Sequence, residues 1–171
     1  VADTIAKRSD DLVAKIRPHK ERIAALSTKI TTVSTNGRGT LPNLMVQITE
    51  RHVAPPTTTI VRIDPAAETE FSKFAKETGF TLIDPVDGLR SNADVMVTGE
   101  GISETATRNG NLVSVKARVE IKAVERKTGK ILVSDRQTAL VVDLTENIAG
   151  KAALQQATAI LAERILPQLV D

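Results

Sequence analysis

The sequence contains no cysteine, tryptophan or tyrosine, and its three phenylalanines lie at positions 71, 74 and 80. As the sequence stands, the absence of cysteine excludes disulfides, thiolate zinc sites, cysteine nucleophiles and a lipid-bearing cysteine. No stretch approaches the roughly 18 uncharged apolar residues of a spanning helix, so we expect no direct membrane span. Motifs of the GxSxG, P-loop and HExxH types are also missing.

The composition that remains is that of an ordinary globular domain. The chain has 171 residues, of which 41% are hydrophobic and 26% charged, and its net charge is +2. A domain of this size buries about 70% of its unfolded surface. Lys and Arg exceed Asp and Glu in residues 1–42 and 111–142, whereas the acids prevail in 43–110 and 143–171. This alternation is either ordinary solvated surface or a basis for self-association between opposite patches.

The N-terminal segment has the periodicity of an amphipathic helix. Residues 3–26 place apolar side chains mostly at helical spacings, and Pro18 predicts a kink within them. The β-branched run in 28–35 predicts a short strand, and the glycines of 36–39 predict a turn. Residues 1–35 are therefore interpreted as a helix and a short strand that form a possible assembly arm.

The middle of the chain predicts a strand–helix–strand unit. A strand is expected over 44–48, and a second over 80–84. Between them, Asp64 followed by Pro65 is typical of a helix N-terminus, with Asp64 as the N-cap, and Gly79 is expected to end the helix.

Residues 94–142 predict an antiparallel meander with one solvated face. In the clearest strand, Val115, Ala117, Val119 and Ile121 alternate with Lys116, Arg118 and Glu120. A helix over 149–169 closes the chain. The predicted fold class is α/β (α+β), with a mixed sheet covered by helices in a domain over 44–171.

Catalytic chemistry is not indicated by these residues. His19 and His52 have no second histidine at ligand spacing, and such sites need several convergent ligands. Asp64, Glu68 and Glu70 are explained by helix capping and by the helix dipole. We therefore expect no enzyme, no metal and no cofactor. A basic hairpin over 116–130 leaves nucleic acid as an alternative, which the lack of stacking aromatics in that sheet disfavours.

Six segments in order resemble a bacterial envelope family over roughly three quarters of the chain. They are Asp64–Glu70, Gly79–Asp84, Ala93–Glu100, Ala117–Ala123, Lys127–Leu132 and Ala149–Ala157. The pattern resembles the superfamily of the curli-secretion lipoprotein CsgG, the penicillin-binding-protein activator LpoB and the flagellar-ring protein FlgT. Tight turns between the meander strands leave no room for the membrane-barrel segments that CsgG carries.

The resemblance implies a periplasmic or exported protein without catalytic residues. Because an exported protein loses its signal peptide, the start at Val1 without methionine is interpreted as the result of such a cleavage. The expected function is a structural or scaffold role in a cell-envelope assembly, through self-association as a ring or array and contacts with other envelope proteins. The alternative is a periplasmic accessory protein that binds and activates a peptidoglycan-synthesis enzyme.

The interface residues expected for the homo-oligomer lie in the N-terminal helix. Leu12, Val13, Ile16 and Ile23 are predicted to pack partly against another copy or a partner, because an apolar helix stripe must be buried somewhere. Packing of the same stripe on its own domain remains open.

Overall fold

The computed structural model describes residues 18–33, 40–54, 59–62 and 64–170. A helix, α1, occupies 18–33. The remaining elements are β1 (Leu44–Ala54), β2 (Thr59–Arg62), α2 (Ala67–Glu77), β3 (Val95–Asn109), β4 (Leu112–Glu125), β5 (Ile131–Asp143) and α3 (Glu146–Ile165), with 3₁₀ turns at Arg90–Asn92 and Leu166–Leu169.

The strands form one mixed sheet in the order β2-β1-β3-β4-β5. β1 runs parallel to β3, and α2 lies in the connection between them. The other three pairings are antiparallel. The predicted mixed sheet is confirmed, but the strand expected over 80–84 is reduced to a single parallel bridge between Leu82 and Leu44. The Leu44 N–H donates to the Thr81 carbonyl at 2.9 Å, and the Ile83 N–H donates to the Leu44 carbonyl at 2.8 Å.

The predicted meander over 94–142 is confirmed. β3, β4 and β5 pair antiparallel in succession, and Gly110 adopts φ +59° in the tight turn between β3 and β4. Val115, Ala117, Val119 and Ile121 are buried, whereas Lys116, Arg118 and Glu120 are exposed. The alternation therefore divides β4 between the core and solvent as its sequence predicts.

The strand predicted over 28–35 is wrong within the described residues, because helix α1 continues to residue 33. Ile23, Leu26 and Ile30 follow one another at helical spacing and are all buried in the main core. The hydroxyls of Thr28 and Thr32 donate to the carbonyl oxygens four residues earlier, at 3.1 and 2.9 Å. Tertiary burial of this stripe thus outweighs the weak β-propensity of the threonines.

One hydrophobic core joins the helices to one face of the sheet. This main cluster includes Phe71 and Phe74 of α2, Leu154 and Leu161 of α3, and Val119 of β4. α3 begins three residues earlier than the sequence predicts, because Thr145 caps it by accepting from the Ile148 N–H at 3.3 Å. In the described part of the chain, no helix combines the length and apolarity that crossing a membrane requires.

Candidate functional site

A buried carboxylate from β1 caps helix α2. Both oxygens of Glu50 accept from the Ala66 N–H, at 3.0 and 2.9 Å, and Oε1 also accepts from the Glu68 N–H at 3.0 Å. The N-cap residue, Ala66, has no capping side chain of its own. Glu50 therefore satisfies free N–H groups at the positive end of the helix from a different element.

Glu68 of α2 makes a second carboxylate contact, this time from the helix to the strand. Its Oε2 accepts from the Ile48 N–H at 2.8 Å, so β1 and α2 are joined by carboxylates in both directions. The predicted N-cap role of Asp64 is wrong, because Glu50 holds the N–H groups in question. Asp64 instead accepts from Lys151 Nζ at 2.8 Å, and this hydrogen bond lowers the pKa of the Asp64 carboxyl.

Space for the Glu50 side chain depends on Gly101, its register partner in β3. A Cβ at position 101 would lie 3.0 Å from Leu154 Cδ2 and 3.3 Å from Glu50 Cγ. Any larger side chain would press on both the core and the cap. The glycine is thus explained by the close approach of the carboxylate and α3.

His52 and Ser103 form a second buried polar pair, also as register partners on β1 and β3. His52 Nδ1 lies 2.8 Å from Ser103 Oγ, and both residues are buried. A Cβ at Gly150 of α3 would lie 3.2 Å from Ser103 Oγ, so the helix backbone covers the hydroxyl. A nucleophile must reach its substrate, and this hydroxyl is fully enclosed. The pair is therefore a packing contact between the strands and α3.

The other histidine lies in a shallow polar groove of about 540 Å³ between α1, α2 and α3. His19 Nδ1 is 3.7 Å from Glu70 Oε1, and its ring meets Phe74 edge-on at 5.1 Å. Burial raises the pKa of the Glu70 carboxyl, and the charge of His19 opposes this shift. Arg22 donates to Glu163 at 2.6 Å beside them. These contacts hold α1 against α2 and α3.

Metal chemistry finds no support in this part of the chain. Among the described residues, no group of three or more His, Asp or Glu side chains is arranged to hold a metal ion. The acids singled out in the sequence are instead divided between helix capping, a lysine pair and the α1 groove.

Of the four predicted interface residues, the structure describes only Ile23. Leu12, Val13 and Ile16 lie outside the described residues. Ile23 packs with Leu26 in the core of its own chain, which is the alternative that the sequence left open. In the described part of α1, the Ile23 side chain therefore makes intramolecular contacts.

An apolar surface that the sequence analysis did not single out lies at the end of β5. Leu140 and Val142 are 59% and 55% exposed, and Leu144 follows them at 64%. Leu112, at the start of β4, is also half exposed. Among the described residues, β5 is the last strand of the sheet, so this exposed apolar surface lies on the solvent face beside an edge that no other strand covers. We call Leu112, Leu140, Val142 and Leu144 the edge patch.

A signal for the edge patch is present in the sequence. Strict alternation in β5 would place a polar residue at every second position, but 139–142 reads Ala-Leu-Val-Val. The strand is thus apolar on both faces at this end. In contrast, no local sequence pattern indicates that Glu50 caps α2, because this contact depends on how β1 is aligned with the helix.

No protein-family model and no curated protein match the sequence. Solved structures match the fold at low identity. Protein XCC0632 from Xanthomonas campestris, of the family-model DUF330, is 12% identical with a TM-score of 0.50, over 75% of this chain and 82% of that one. At this identity the likeness shows a common fold.

Two further solved structures with a similar fold come from other bacteria. A minor lipoprotein from Acinetobacter baumannii is 16% identical with a TM-score of 0.42, over 77% of this chain and 92% of that one. The PelC dodecamer from Paraburkholderia phytofirmans is 12% identical with a TM-score of 0.43, over 76% and 90%.

Proposed function

We propose that this chain is a non-catalytic structural protein of a bacterial cell-envelope assembly, and that it acts by self-association and by contacts with partners. The observation that carries the proposal is the edge patch beside the outer edge of β5, which pairs with no other strand among the described residues. A free strand edge offers its N–H and C=O groups to another chain, and apolar side chains beside it add a driving force for pairing.

The use of the polar residues supports a structural role. Glu50, Glu68 and Asp64 are each engaged in joining one element to another. The Ser103 hydroxyl is enclosed under α3. A catalytic site would leave such groups open to a substrate-sized cleft, with a base or ligand in reach.

The location in the cell envelope is part of this proposal, and it does not rest on the edge patch. It follows from the ordered segments that resemble the CsgG, LpoB and FlgT superfamily, and the fold that the chain has in common with XCC0632 is compatible with it. The same resemblance supports a periplasmic or exported location and a ring or array as the assembled form.

Self-association is tested by the mass of the purified chain across a concentration series in sedimentation velocity. We expect the weight-average mass to rise with concentration, and Leu140→Lys to return it to that of a monomer, because the substitution removes an apolar contact from the patch and places like charges of neighbouring copies close together. Ile131→Lys is the matched control, since Ile131 is also an exposed β5 residue (56%) but lies at the other end of the strand.

A monomer at every concentration would contradict the proposal. That result would favour the alternative, in which the chain binds and activates a peptidoglycan-synthesis enzyme as a single copy. Equal dissociation by Leu140→Lys and Ile131→Lys would contradict the assignment to the edge patch.

A further inference from the structure

We infer that the edge patch pairs with the same strand of a second copy, antiparallel about a two-fold axis at Leu140, and so continues the sheet from one chain into the next. The inference rests on the proposed self-association and specifies its surface, its register and its occupant. Three observations carry it: the direction of the backbone groups of β5, the position of Arg164 and the pairs that the two-fold axis creates.

The backbone of β5 has free groups at alternate residues. In an antiparallel ladder, successive residues bond alternately to the neighbour on one side and on the other. The Glu125 N–H of β4 donates to the Lys130 carbonyl at 2.8 Å. The register shift between Ala123 and Val124 places its extra residue in β5, so the alternation of β4 is kept and its odd-numbered residues bond towards β5. Their partners from Val133 to Asp143 are odd-numbered as well. The even-numbered residues of β5 therefore direct N–H and C=O away from β4.

Arg164 of α3 covers the outer edge of β5 near Arg136. Its Nη2 donates to the Arg136 carbonyl at 3.0 Å, while Nε and Nη1 donate to Asp135 and Gln137 at 2.7 and 3.0 Å. A guanidinium in this position occupies the acceptor that a further strand would need. The part of β5 that remains open begins after Arg136 and ends with Asp143.

The open half presents a short strand with few competing contacts. Within the described residues, no hydrogen bond from outside β5 reaches the outward groups of Leu140 or Val142. The carbonyl of Thr138 accepts from the neighbouring Gln137 amide at 3.1 Å, which leaves its second lone pair for another donor. Thr138, Leu140 and Val142 can therefore exchange up to about six backbone hydrogen bonds with a matching strand.

A second copy of β5 is that matching strand. The midpoint of the open span Gln137–Asp143 is Leu140, and a two-fold axis there places Leu140 opposite itself. Thr138 then faces Val142 of the second copy on the outer face, and Ala139 faces Val141 of the second copy on the helix-covered face. Apolar side chains meet on both faces, as cross-strand pairs that stabilise a sheet.

Charge also favours this register. At the ends of the pairing, Gln137 faces Asp143 of the second copy, so that an amide meets a carboxylate. An axis one residue earlier, at Ala139, would place Asp143 opposite Asp135 and would need the carbonyl that Arg164 occupies. Like charges directly opposite are destabilising. By itself the isologous contact closes a dimer, and a ring or array adds a second, different contact.

Single cysteines test the register, because the chain has no cysteine of its own. Under mild oxidation at a concentration where the wild type associates, Leu140→Cys should form a disulfide-linked dimer, since directly opposed residues have Cα atoms about 5.5 Å apart. Val142→Cys alone is the matched control and should stay unlinked. A mixture of Thr138→Cys and Val142→Cys should form the mixed dimer.

The outcomes separate the two claims. Association of the wild type with no linkage of Leu140→Cys, or with equal linkage of Val142→Cys, would overturn this register and leave self-association standing. A wild type that is monomeric in the same sedimentation series would overturn both.

Discussion

Val119→Asp should unfold the domain. Val119 is fully buried on the core face of β4, between Gly101 of β3 and Gln137 of β5 in the register. An ionised carboxylate without a partner in that position costs several kcal/mol, against a total stability of about 5–15 kcal/mol for a domain. We expect loss of the cooperative urea transition, measured by circular dichroism.

Two exposed residues of the same strand provide the controls for Val119→Asp. Lys122→Asp introduces the same carboxylate on the solvent face, and Glu120→Ala removes a side chain there. Both should keep a cooperative transition near that of the wild type. If either were as unstable as Val119→Asp, the division of β4 into a core face and a solvent face would be wrong.

Glu50→Ala should be the next most damaging change, at about 3 kcal/mol in the free energy of unfolding, because hydrogen bonds to a charged group contribute ~1.5–3 kcal/mol each and their loss leaves buried donors unpaired. The variant deprives the Ala66 and Glu68 N–H groups of their acceptor. Urea melts followed by circular dichroism measure the change.

Asp64→Ala is the matched control for the cap, because Asp64 is the acid that the local sequence pattern favours. In the structure Asp64 is largely exposed and bonds to Lys151 at the surface. Its removal should leave the urea midpoint close to that of the wild type. A larger loss from Asp64→Ala than from Glu50→Ala would show that the helix is capped locally after all.

The fold was predictable wherever one sequence pattern matched one local environment. The two-residue period of β4 predicted its two faces, because a strand half-covered by helices must alternate. Gly79 marked the end of α2, and it adopts φ +102° immediately after that helix. Both signals are local and have a direct steric or solvation cause.

The predictions that failed depend on contacts between distant residues. The threonines near Ile30 favour a strand locally, but the stripe that this residue completes is buried against the core and keeps α1 helical to residue 33. Glu50 caps α2 from a strand 16 residues away, and no spacing rule within a helix could reveal that. Local propensity gives way in both cases to the tertiary arrangement.

The candidate site was the least predictable part. The N-terminal residues Leu12, Val13 and Ile16 remain predictions, because they lie outside the described residues. The apolar run Ala-Leu-Val-Val at 139–142 is visible in the sequence, but it is equally typical of a central strand, and only the strand order places it in an edge strand. Whether a strand is central or at the edge follows from the topology, which local patterns do not specify.

The central claim is that copies of this chain associate through the open end of β5, and amide hydrogen exchange resolved at single residues tests it most directly. In a dilute monomer, Thr138, Leu140 and Val142 should exchange fast, while Ala139 and Val141, which bond to β4, exchange slowly. At concentrations where the mass rises, we predict that Thr138, Leu140 and Val142 also become slow. Fast exchange of Leu140 and Val142 in the associated protein would contradict the account.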